Sequence, residues 1–187
     1  MRNIKRGLGY VVVAFLAILF VGCGSKNSEL DSPEVYISKQ LKIDKIEFNL
    51  TQLHESKIKY HTKSEMETIF KEDFFKKLKE KKLLTEDLDA DLIDIKIEYK
   101  RRYVGDATAL KSDSLGYPNY EYTIVVKDST GNELLKKDRK NLTYKGGFTM
   151  NLQVVAGTLR DKKYEIDFVE ALSNTIVDEI NSLKKDK

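Results

Sequence analysis

Between Ile93 and Tyr99 every second residue is apolar, with Ile93, Ile95, Ile97 and Tyr99 separated by Asp94, Lys96 and Glu98. Successive side chains of a strand point to opposite faces, so this period predicts a strand with one buried face and one wet face. The same alternation occurs at Ile46, Phe48 and Leu50, and again at Tyr120, Tyr122, Ile124 and Val126. Strands of this kind make a sheet with one apolar side, and that side has to be covered by another layer.

Two segments supply the cover. Met66, Ile69, Phe70, Phe74 and Leu78 fall at steps of three or four, the stripe of an amphipathic helix. Ser64 with Glu67 three residues on predicts its capping box, and the lysines from Lys76 to Lys82 suit its negative C-terminal end. A second stripe, Ile166, Val169, Leu172, Ile176, Ile180 and Leu183, predicts a closing helix from about Glu165 to Leu183. Asp128-Ser129-Thr130-Gly131-Asn132 predicts a hairpin turn, with a return strand from about Glu133 to Tyr144. Met150, Leu152, Val154 and Val155 fit neither period well, and 148–159 is read as a further strand or an irregular crossing. The predicted class is α+β, a mostly antiparallel sheet of four or five strands with two amphipathic helices on one face. The order is β-α-β-β-β-α, and the first β-α-β unit is able to make a right-handed crossover with parallel pairing.

The N-terminus carries a different signal. Arg2, Lys5 and Arg6 precede an apolar run from Tyr10 to Val21, which ends at Gly22 and the only cysteine, Cys23. A basic start, an apolar stretch and a small residue are the parts of an export signal. Twelve apolar residues make only about 18 Å of helix, short of the roughly 30 Å hydrocarbon core. The segment resembles the signal of bacterial lipoproteins, although Phe20 stands where that lipobox prefers leucine. The resemblance implies cleavage before Cys23 and a diacylglycerol, with further acyl chains such as palmitate, on its thiol. Residues 1–22 are then a signal peptide, 23–40 a lipid-anchored tether and 41–187 one α/β domain. Removing three bases and no acid from the 33 Lys plus Arg and 30 Asp plus Glu leaves 30 of each. A neutral mature chain lacks the positive field that nucleic acid binding needs, so no nucleic-acid partner is expected.

Ala90-Asp91-Leu92 opening a strand, the hairpin from Val126 to Leu134 and the closing helix are similar to a group of small α/β outer-membrane lipoproteins of unknown function. Their domain is like the N-terminal part of the curli-secretion lipoprotein. The resemblance spans roughly Leu41 to Leu183; it implies a fold and an envelope setting, and brings no catalytic residue.

Residues that could carry chemistry are scattered. His54 and His61 are seven apart with no third ligand at a metal spacing, and are read as surface residues of a polar loop. Asp87, Asp89, Asp91 and Asp94 lack the glycine and bidentate glutamate of a calcium loop, and are read as solvated acids. No Gly-x-Ser-x-Gly or phosphate-binding glycine loop occurs, so neither an enzyme, a metal nor a cofactor is expected. The stretch from Tyr99 to Tyr122 is rich in tyrosine and arginine, the residue types of interface hot spots. Arg101, Arg102, Tyr103, Tyr117 and Tyr120 are therefore the candidate interaction surface. The expected role is a membrane-anchored accessory or scaffold component of a cell-envelope complex, with an envelope protein as partner. Gly24 in place of Asp favours the periplasmic face of the outer membrane in a Gram-negative cell. A periplasmic lipid- or small-ligand-binding lipoprotein, using space between sheet and helices, is the alternative.

Overall fold

A computed structural model describes residues 37–144 and 146–183, so Cys23 and most of the tether lie outside the described residues. Its elements are β1 (Lys42–Gln52), α1 (Lys63–Glu80), β2 (Leu92–Arg101), β3 (Asn119–Lys127), β4 (Glu133–Thr143), α2 (Phe148–Val155) and α3 (Lys163–Ser182). The strands form one sheet in the order β1-β2-β3-β4. β1 pairs with β2 in parallel, and the other two pairings are antiparallel, so the sheet is mixed. The α+β class stands as expected, with four strands and a third helix, α2, where a strand or irregular crossing was expected.

Register aligns the apolar face. Phe48, Ile97 and Tyr122 are partners across three strands, as are Ile46, Ile95 and Ile124. α1 and α3 lie side by side over these rows, burying Met66, Phe70, Phe74 and Leu78 from one helix and Val169, Leu172, Ile176 and Ile180 from the other. Phe48 packs between Phe70 and Tyr99, each at 5.9 Å between ring centroids, and Phe70 stacks on Phe74 at 5.2 Å. The opposite face presents Lys96, Glu98, Glu121, Thr123 and Asp138 to water, as the alternation requires.

Several local details differ from the sequence reading. Thr62, not Ser64, caps α1: Glu65 N donates to Thr62 Oγ1 at 3.3 Å, and Thr62 N donates to Glu65 Oε2 at 2.7 Å. Both pairs have the capping-box spacing, but Glu67 turns to Lys71, 2.6 Å away. Asp91 and Asp94 are not solvated acids: Asp91 is buried and accepts from Ser38 N at 2.7 Å, while half-buried Asp94 pairs with Lys127. In the hairpin, Asp128 accepts from Thr130 N, Thr130 Oγ1, Asn132 N and Asn132 Nδ2, and Gly131 has φ +93°.

The Thr130 hydroxyl, followed by the Asn132 donors, holds the Asp128 carboxyl well below the usual carboxylate range. A depressed folded value gives stability that is present above the unfolded value, near 3.9, and is lost as pH falls through the folded one. Carboxyl NMR should find Asp128 still ionised below pH 3; titration near 3.9 would mean the donor cage is not formed in solution. Phe70→Ala should cost about 3–5 kcal/mol in denaturant unfolding, and Lys96→Ala on the wet face less than about 0.5 kcal/mol.

Candidate functional site

The ladder of inward residues on β2 does not stop at Tyr99: by parity Arg101 also points inward, and it is buried. Its register partner Gln52 continues the inward face of β1, and Arg101 Nη1 donates to Gln52 Oε1 at 2.9 Å. A guanidinium in that position needs a counter-charge, because an unpaired buried charge costs several kcal/mol. Glu165 supplies it from the first turn of α3, a place where the helix dipole favours a carboxylate. Arg101 Nε lies 2.6 Å from Glu165 Oε1, and neither residue exposes more than 7% of its side chain.

The second carboxylate oxygen holds His61. Glu165 Oε2 accepts from His61 N at 2.9 Å and lies 3.1 Å from His61 Nδ1, while Arg101 Nη2 donates to the His61 carbonyl at 2.5 Å. With a carboxylate facing it, Nδ1 is assigned as the protonated nitrogen. A neighbouring arginine repeats the arrangement: Asp106 Oδ2 accepts from Arg102 Nε at 3.0 Å and from Tyr103 N at 2.9 Å, and Asp106 Oδ1 is 3.0 Å from His54 Nδ1. Each histidine of the described chain thus sits against a fully buried carboxylate, which corrects the reading of His54 and His61 as surface residues.

Tyrosines close the cluster. Tyr60 places its ring 5.6 Å from the Arg101 guanidinium and donates its hydroxyl to the carbonyls of Asp113 (2.6 Å) and Leu159 (3.2 Å). Burial, then the proximity of Tyr103 and Glu165, pushes the Tyr60 phenol well up; burial also raises Tyr103, against the opposing pull of Arg101. Both remain protonated donors at neutral pH and are unsuited as bases. Beside them runs a shallow hollow of about 280 Å³ bordered by Gln52, Ser56, Tyr60, His61 and Tyr103. Ser56 Oγ accepts from Ile58 N at 3.0 Å, within its own turn. The carboxylates, arginines and histidine Nδ1 atoms here are all matched to one another, so the arrangement works as a clamp tying β2, α3 and the 53–62 segment together. Among the described residues no group of three His, Cys, Asp or Glu could hold a metal ion.

The five expected surface residues do not form one exposed patch. Arg101 and Tyr103 are buried in the clamp, and Tyr120 is buried on the inner face, because strand parity turns all three inward. Tyr117 is half-buried, packing on Tyr144 and Phe168 and donating to Asn151 Oδ1 at 2.5 Å. Arg102 alone faces the wet side, where with Glu98, Lys100, Asn119, Glu121 and Asn141 it borders a hollow of about 420 Å³. Sequence reasoning passed over Glu165, although it falls three and four residues before Phe168 and Val169 on the buried stripe; an acid on such a stripe marks a buried charge.

No family model matches this chain, and no curated protein matches it. Among solved structures it is similar to a minor lipoprotein from Acinetobacter baumannii, at 16% identity and a TM-score of 0.40, over 77% of this chain and 93% of that one. That protein is not the curli-secretion lipoprotein.

Replacing Glu165 with Ala leaves Arg101 buried without a counter-charge and should destabilise the fold by about 3–5 kcal/mol. Arg101→Met combined with Glu165→Leu removes both charges and should cost far less than the two single changes added together. Additive costs in a double-mutant cycle of unfolding would show that the pair is not coupled.

Proposed function

We propose that this chain is a lipid-anchored lipoprotein of a bacterial cell envelope, acting as an accessory or scaffold component through protein contacts and not by catalysis. The observation that carries the reading is the run from Arg2 to Cys23, where three bases, an apolar stretch and Gly22 lead to the chain's only thiol. Stable attachment takes two acyl chains or more, which a lipoprotein cysteine provides. The outer membrane's periplasmic face is the location that Gly24 favours in a Gram-negative cell.

The clamp supports a role in binding over one in reaction. Its carboxylates and arginines are consumed in holding the fold, and its tyrosines stay protonated. No described helix is long and apolar enough to cross a membrane. The carrier alternative loses support because Phe48, Phe70, Phe74, Ile95 and Ile176 fill the space between sheet and helices.

Mass spectrometry of the mature N-terminus should find a diacylglyceryl-modified, N-acylated Cys23. Cys23→Ser should carry no lipid; an unmodified, uncleaved N-terminus on the native protein contradicts the anchor.

A further inference from the structure

α2 is an eight-residue helix without a charged side chain, set at the end of the sheet where β1 and β2 finish. Its two sides differ. Met150 and Val154 pack on the small cluster of Tyr103, Leu115, Leu159 and Phe168. Phe148, Leu152 and Val155, four and three residues apart, form a second apolar stripe that is 78%, 54% and 84% exposed. Leu110, 87% exposed, belongs to the 104–117 connection at the same end. A stripe of this kind on an uncharged helix is the pattern of a surface that is covered in use.

The surrounding charge says what covers it. The segments at this end, residues 53–62, 104–117 and 146–162 with the first residue of α3, carry six bases, Lys57, Lys59, Lys111, Arg160, Lys162 and Lys163, all exposed. They carry four acids: Asp106 is already held by Arg102, and Asp161 lies 3.9 Å from the Lys163 ammonium at the exposed surface. Both α1 and α3 also begin here, adding the positive ends of two helix dipoles. The connections at the opposite end, 81–91 and 128–132, carry two bases against five acids. An apolar stripe ringed by cations is complementary to an anionic lipid surface, whose headgroups meet the cations while the apolar side chains enter the interface.

We propose that the α2 end docks on an anionic lipid bilayer, Phe148, Leu152 and Val155 entering the headgroup region with Arg160, Lys162 and Lys163 above it. The proposal rests on the anchor reading for the membrane that it meets. The described chain starts at the other end of the sheet, and ten-residue β2 is roughly 33 Å long at about 3.3 Å per residue. The fourteen links from Cys23 to Ile37 extend to about 46–50 Å, enough to bring the α2 end to the same bilayer. Tethering makes this second contact intramolecular, so a weak surface suffices.

The test uses residues 23–187 with Cys23→Ser, which contain every described element, in flotation with vesicles of phosphatidylethanolamine and phosphatidylglycerol at 3:1. Binding should exceed that to pure phosphatidylcholine vesicles by at least about tenfold and fall in 0.5 M salt. Phe148→Ser, Leu152→Ser and Val155→Ser combined should abolish it, and so should Arg160→Glu, Lys162→Glu and Lys163→Glu combined. All six side chains are exposed, and unchanged unfolding midpoints would confirm that both variants are folded. No flotation of the parent, or equal flotation of either variant, overturns the proposal. So does a photo-crosslinker at position 155 that, in cells, labels a protein and no lipid. An unlipidated Cys23 in the native protein would overturn the anchor and leave the vesicle result standing, so the two failures are distinguishable.

Discussion

The Glu165 carboxylate is the point on which the architecture of one whole end turns. It joins α3 to the last residue of β2 through Arg101, and to the segment entering α1 through His61. A fully desolvated carboxylate is tolerable only with its donors in place, so the three segments cannot shift independently without leaving a charge unpaired. The neighbouring Asp106 ties the 104–117 connection to His54 and Arg102 by the same chemistry. Fourteen residues without strand or helix would otherwise be free to wander; here Leu115 N donates to Leu159 O and Gly116 N to Arg102 O, folding the connection back on the sheet.

The parts of this fold that follow a period were readable from residues alone. Alternation located β1, β2 and β3, and two stripes located α1 and α3, because each of these elements buries one continuous face of the same core. β4 was readable only through its turn. Its inward positions include Lys137 and Arg139, which reach Glu179 of α3 at 3.8 and 2.8 Å instead of packing in hydrocarbon. α2 was missed because it is apolar on two sides, so no single stripe emerges over eight residues. The clamp was half readable. Strand parity is consistent with Arg101 and Gln52 on the inner face, and Glu165 falls three and four residues before Phe168 and Val169, but that they meet depends on the parallel register of β1 with β2 and on where α3 crosses them. The tyrosine and arginine richness of 99–122, taken as a sign of exposure, reflects this buried network instead.

The sheet's outer face and its edges show how a one-sided fold stays out of aggregates. Lys127 bridges Asp44 on β1 and Asp94 on β2, Asn49 donates to Glu98, and Thr123 donates to Asp138, so the wet face is laced with polar cross-strand pairs. Edge strand β4 carries Lys136, Lys137, Arg139 and Lys140, a run of cations that discourages another strand from adding to it. Glu98 and Glu121 are direct register partners, a like-charge pair that a sheet optimised for stability alone would avoid.

The ionic layer also divides the interior. Tyr99 belongs to the large core and Tyr103 to the small cluster, with Arg101 between them on the same strand face. Met150 and Val154 of α2 rest on the small cluster, and Tyr144 packs against both clusters. The outer stripe is exposed and belongs to neither cluster, and sites of that kind are close to additive in their effects on stability. An apolar surface can be kept there because the residues that expose it are not the residues on which folding depends.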